Sequence, residues 1–271
     1  VATQFTIAIS HDQTRVATAI LEQNSGNTDI WMRDLERGIR TRFTFNESAD
    51  QTAVWSPNDS LVAYTARSGN GTTFFTKPAN GAVAEQNLWS VEQPAYAQDW
   101  SPDGKFISCT VQGQDSRDIW IVPTDPSVEP FPFMQTALNE RDAQFSPDGR
   151  WVAFCSDESG RDEVYVAPFP GPGGKWQIST REGDRPRWSP DGRRIFYLSN
   201  TDHICVVDVE GSGQSLNVGR MEELFSISAF RPGNVYELMG DGERLLVNER
   251  LTDLEASMIV VVQNWSQGLA D

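Results

Sequence analysis

The stretch FSPDGRWVAF, Phe145–Phe154, sets Ser-Pro-Asp-Gly between an aromatic residue and a short apolar run. Proline pre-sets φ for the second position of a tight turn, and aspartate tolerates the third. Glycine supplies a positive φ at the fourth, and the serine hydroxyl can bond the turn's own backbone. All four residues are accounted for by a turn between two strands, with no ligand required.

The same turn recurs. AISHDQTRVATA, VWSPNDSLVAYT, DWSPDGKFISCT, QFSPDGRWVAFC, RWSPDGRRIFYL and ELMGDGERLLVN align with turns beginning at Ser10, Ser56, Ser101, Ser146, Ser189 and Met239. Each turn is followed by a second apolar run, then by DIWMRD, FFTKP, DIWIVP, EVYVAP or HICVVD. A fourth run closes the unit: RTRFTF, NLWSV, FPFMQT, WQIST or EELFSI. The runs are short, rich in aromatic and β-branched residues, and bounded by turn formers, as strands are. Four strands in a period of about 45 residues make a propeller blade. The expected fold is therefore all-β: a single six-bladed β-propeller over 1–271, with about four antiparallel strands per blade. Blades are expected near 1–46, 47–93, 94–137, 138–181, 182–229 and 230–271. An outer strand for the last blade is hard to find. Either that blade has three strands, or residues 1–4 or a neighbouring molecule supply the fourth.

The chain of 271 residues carries 38 acidic against 22 basic residues, a net charge of −16. That charge repels phosphate backbones and anionic lipid, so neither nucleic acid nor a membrane is an expected partner. No apolar run approaches the roughly 20 residues that span a bilayer. The first residues, VATQFTIAIS, lack the basic start and apolar core of a signal peptide. Cys109, Cys155 and Cys205 each sit in an apolar run and are expected to be buried free thiols.

WSPDG…IFYLS and FSPDGRWVAF resemble the TolB-type, WD-like propeller repeats of bacterial envelope proteins. NERDAQFSPDGRWVAFCSDESGRDEVYVAPFPGPGGKWQIST is more closely similar to propeller regions C-terminal to some bacterial serine/threonine kinases, and to related stand-alone proteins. DIWMRDLERGIRTRFTF and VVVQNW fit the same pattern. The resemblance implies a scaffold and no particular activity, and it implies a periplasmic or extracellular place in a bacterial envelope. No Gly-rich kinase loop, HRD or DFG is present.

Ligands of propellers usually bind on the face of the blade-to-blade loops, opposite the SPDG turns, and that analogy directs the search. Two residues before each turn stand Ala8, Val54, Asp99, Gln144, Arg187 and Glu237. Asp99, Gln144, Arg187 and Glu237 are the candidate lumen residues. Charges in a narrow lumen must pair with one another, with water, or with an ion. Glu140, Arg141 and Arg185 are the candidate rim residues. DESGRDE lacks the spacing that wraps calcium and reads as a solvated loop with Arg161 paired locally. Catalytic groups are scarce: His11 falls in a turn, His203 begins a strand, and no GxSxG elbow occurs. The expected function is a non-catalytic recognition or scaffold module that binds a protein, peptide or small ligand at the channel mouth. The alternatives are a hydrolase or lyase using lumen carboxylates and a divalent cation, and a purely structural surface. No cofactor is expected on the leading reading, with Ca2+ in the central channel as the alternative.

Overall fold

A computed structural model describes residues 3–22, 25–171, 173–213, 215–228, 235–250 and 257–263. The first sheet is β1 (Thr3–Ile9), β2 (Arg15–Leu21), β3 (Thr28–Asp34) and β4 (Arg40–Arg42). The second is β5 (Ala49–Trp55), β6 (Leu61–Ser68), β7 (Gly71–Pro78) and β8 (Gln86–Val91). The third is β9 (Ala95–Trp100), β10 (Phe106–Gln112), β11 (Arg117–Pro123) and β12 (Phe131–Met134). The fourth is β13 (Glu140–Phe145), β14 (Trp151–Ser156), β15 (Glu163–Pro168) and β16 (Trp176–Gln177). The fifth is β17 (Gly183–Trp188), β18 (Arg194–Ser199), β19 (His203–Ser212) and β20 (Ser215–Ser226). The sixth is β21 (Tyr236–Leu238), β22 (Arg244–Arg250) and β23 (Ser257–Gln263). In every sheet the strands lie side by side in chain order, which is the blade that the repeat predicts. No helix occurs among the described residues, and none is long and apolar enough to cross a membrane.

The turns form as their chemistry dictates. At Ser146 the backbone N–H donates to Trp151 O at 2.8 Å, and Gly149 N–H donates to Ser146 O at 2.8 Å. The Ser146 hydroxyl donates to Asp148 Oδ1 at 2.6 Å and accepts the Trp151 N–H at 3.0 Å. Gly149 has φ of 70°, and in the degenerate turns Gln13 (60°) and Asp59 (55°) hold the same left-handed position. A side chain there is strained, so glycine is the better fit.

Second strands such as β14, WVAFCS, are buried along their whole length. Each lies between two neighbours in its own sheet and is covered on both faces, so its sequence reads as a continuous apolar run. Outer strands are more exposed: Arg40 and Thr41 of β4 face solvent. Burying each large apolar side chain stabilises the fold by ~1.5–3 kcal/mol, and the cores lie between successive sheets. Ala143, Phe145, Val152 and Phe154 form one cluster with Ile119 and Ile121. Trp151, Ala153, Trp188 and Tyr197 belong to another. All three cysteines are buried and free, as expected.

The strands group into two compact units, one holding β1–β8 and β21–β23, the other β10–β20. In the first, β1 packs against β5 and against β21–β23, with Ile7, Val16 and Leu246 in contact. The sixth sheet has three strands among the described residues. Thr3 and Gln4 do not complete it; they pair with Leu21 and Ile20 and extend the inner strand of the first sheet. The fifth sheet departs from the expected pattern in its length. β19 and β20 form a hairpin running well past HICVVD, because VEGSGQSLNVG, which looks like a loop, continues the ladder to Ser212–Ser215.

Candidate functional site

In the second unit, the ends of β13 and β17 away from the SPDG turns are irregular. Arg141 pairs with Cys155 and Gln144 with Ala153, so two residues stand opposite one. Asp184 pairs with Leu198 and Arg187 with Phe196, the same bulge one sheet later. Bulges re-aim side chains, and these carry unusual backbone. Asp142 (59°), Glu182 (61°) and Arg185 (53°) all have positive φ without being glycine. Such residues store strain that the surrounding structure must overcome. Gly183 between them is required for space, since a Cβ there would stand 2.6 Å from the Tyr197 ring.

The bulges gather a charge cluster. Arg141 donates to both oxygens of Asp162, Nη1 to Oδ1 at 2.9 Å and Nη2 to Oδ2 at 2.7 Å. Its Nε lies 3.5 Å from Asp142, and its Nη2 lies 3.8 Å from Asp184. Arg185 Nη1 donates to Asp184 Oδ2 at 2.6 Å. Asp142, Asp162 and Asp184 thus face Arg141 and Arg185, a local excess of one negative charge. The Arg141 side chain is 15% exposed and that of Asp162 46%. Burial alone would lower the Arg141 pKa, but the hydrogen bonds to Asp162 and the charge of Asp142 raise it well above the usual range. Beneath lies buried Cys155, whose thiol burial pushes upward, so it stays protonated and unreactive.

Of the expected rim residues, Arg141 and Arg185 are brought into one cluster through Asp184. Glu140 is elsewhere: it is 1% exposed, with Oε1 accepting from Thr136 Oγ1 at 2.6 Å. Burial, reinforced by the charge of Asp118, raises its pKa. Asp99 accepts the Phe145 N–H at 2.8 Å and so ties one inner strand to the next. Arg187 is 4% exposed and donates to Pro186 O at 2.9 Å. Gln144 is half-buried and makes no side-chain hydrogen bond among the described residues. Glu237 is half-buried on β21 of the first unit, opposite Leu246. Asp142, Asp162 and Asp184 were not singled out as site residues from sequence, because nothing local marks a bulge. Arg161 does pair locally, with Glu163 at 2.8 Å. Among the described residues no three His, Cys, Asp or Glu side chains are grouped to hold a metal ion.

The first unit carries a different device at the equivalent strand end. Asp50, at the start of β5, is fully buried. Burial, joined by the nearby charge of Asp29, raises its pKa to about 7 against the help of Thr44, Asn46 and Ser48.

Sequence comparison places these features in a family. The TolB beta propeller domain profile matches residues 84–247, more than half of the chain. The chain belongs to the TolB beta propeller domain family. Its fold is accordingly the propeller that the repeats imply. An uncharacterized protein of Agrobacterium fabrum is 28% identical over 184 residues, covering 64% of this chain and 60% of that protein. An uncharacterized peptidase of Bacillus subtilis is 26% identical over 201 residues, covering 61% of this chain and 30% of the peptidase. The chain thus spans less than two thirds of either relative. The crystal structure of TolB from Acinetobacter baumannii superposes with a TM-score of 0.73 at 15% identity, over 95% of this chain and 63% of that one. That likeness concerns the fold.

Proposed function

We propose that this TolB-type propeller is a recognition module of the bacterial envelope that binds a protein or peptide at the bulged ends of β13 and β17. The observation that carries this reading is the strained, half-buried charge cluster of Arg141, Asp162, Asp184 and Arg185. Three positive-φ residues other than glycine, Asp142 and Arg185 within two successive bulges and Glu182 just before β17, cost stability, and a purely structural end would not need them. Partly buried arginines with a matching set of carboxylates suit exchange of one ion pair for a partner's charge. Within the second unit, Asp99, Gln144 and Arg187 remain proposed contributors, with Glu140 a buried support. A catalytic reading, hydrolase or lyase with a divalent ion, draws its support from the relative named a peptidase.

Arg185→Glu tests the proposal. A partner crosslinked to the wild-type chain in envelope extracts should be lost from the variant while the melting temperature holds. Retention of that partner would refute the assigned face. A rise in melting temperature on adding calcium or manganese would instead favour the catalytic reading.

A further inference from the structure

At the opposite end of the same strands, on the side of the SPDG turns, the second unit carries a half-open cavity of about 890 Å³. Its walls are the turns at Ser146 and Asp191 and the extended hairpin of β19 and β20. Trp151 and Trp188 contribute aromatic surface, and Leu216 and Val218 aliphatic surface. The hairpin lies close against the floor, since a Cβ on Gly211 would stand 3.1 Å from Trp151 Nε1.

Two features of this cavity call for an occupant. Trp188 is 8% exposed and its indole N–H, buried, has no acceptor. The same repeat position in other sheets is satisfied: Trp55 donates to Ala8 O at 2.9 Å, and Trp100 to Gly104 O at 3.1 Å. A buried donor left unpaired costs stability. The second feature is charge. Four carboxylates line the cavity, Asp148, Asp191, Asp208 and Glu210, against Arg150 and Arg193. Asp148 is held by Arg150 at 2.7 Å, and Asp191 accepts from Ser189 Oγ and the Arg193 N–H. Asp208 and Glu210 alternate along β19 and so share one face. Both are exposed, and neither carboxylate makes an ion pair or hydrogen bond among the described residues.

We propose that this cavity binds a basic, extended segment of a partner protein. A lysine or arginine side chain would meet Asp208 and Glu210, and an apolar neighbour would rest on Leu216 and Val218. A main-chain carbonyl would supply the acceptor that Trp188 lacks. The Trp188 nitrogen is covered, so the carbonyl reaches it through a small shift of the floor. The volume is far larger than a single ammonium group needs, which favours a peptide over a small cation.

The probe is a short labelled peptide alternating arginine and leucine, titrated into the full chain and followed by fluorescence anisotropy. Saturable binding is expected, about tenfold weaker for Asp208→Asn/Glu210→Gln, as losing charge-assisted contacts requires. Binding should also weaken as salt rises to about 0.5 M. A peptide with glutamate in place of arginine should not bind. Trp188→Phe keeps an aromatic ring and removes the donor, and should weaken binding about fivefold. The Asp208/Glu210 variant reports on the site even if the tryptophan variant does not fold. Equal affinity of that variant and the wild type would overturn the proposal, and so would spermine binding as tightly as the peptide. Arg185→Glu should leave this binding unchanged, which separates failure here from failure of the proposed recognition face.

Discussion

The two ends of the β13–β14 hairpin are both polar, yet they use polarity differently. At the turn end, Ser146 and Asp148 spend their oxygens on each other and on backbone N–H groups within five residues. At the other end, Arg141 reaches Asp162, 21 residues away, and approaches Asp184 in the next sheet. Local bonds of the first kind build a turn and are repeated wherever the turn recurs. Long-range bonds of the second kind exist only where the fold brings strand ends together, and they occur beside strained backbone. One acid from each kind of end titrates in the opposite sense to the other. Asp191, in a turn, is held below the usual carboxylate range by the Ser189 hydroxyl and the Arg193 N–H. Asp50, at a joining end, is held above it by burial.

That contrast can be broken by experiment, beginning with Asp50. Its folded pKa of about 7 exceeds its ordinary value of 3.8, so between those limits the unfolded chain releases a proton that the folded chain keeps. Stability from this group therefore falls as pH rises from about 4 to about 7 and is level above. Asp50→Asn should remove about 3 kcal/mol of that pH dependence, measured by urea unfolding at about pH 4.5 and about pH 8. An unchanged slope would mean that the joining-end acid is ionised and paired like the turn acids. Arg141→Ala comes next. It strands Asp142 and Asp162 while Asp184 keeps Arg185, and Asp162 is nearly half exposed, so the cost should be about 2 kcal/mol, below that of a fully buried pair. Asp191→Ala should cost about 1 kcal/mol at neutral pH. Because its pKa is depressed, that contribution should disappear as acid protonates the wild-type carboxylate, the reverse of Asp50. The smallest effect is a gain. Glu182→Gly relieves a positive φ of 61° and should raise the melting temperature by about 1–2 °C. A fall would show that the strain there is already offset by side-chain contacts.

Much of the fold was legible in the chain because the decisive interactions are short. The turns carry their own hydrogen-bond partners, so three Ser-Pro-Asp-Gly copies and three degenerate ones count the sheets and set strand direction. FSPDGRWVAF thus announces a strand, a turn and a second strand buried on both faces, and the structure has all three. The outer half of the fifth sheet was legible in part: EELFSI reads as its fourth run, but the glycines and serines before it suggest a turn, and only pairing with β19 carries β20 back to Ser215.

Arg141 and Arg185 could be named in advance as charges near strand ends, since the repeat places every strand end. Their partners could not. Asp162 belongs to a hairpin loop that looks solvated, and Asp142 and Asp184 gain their positions from bulges that no residue type announces. Asp99 reads from sequence as a lumen charge in need of a partner, and the neighbouring strand supplies the Phe145 N–H. Local sequence dictates turn chemistry and strand periodicity, because both are settled within a few residues. That Arg141 meets Asp162, that burial shifts Asp50 upward, and that Trp188 lacks an acceptor depend on groups distant in the chain, and packing alone brings those together.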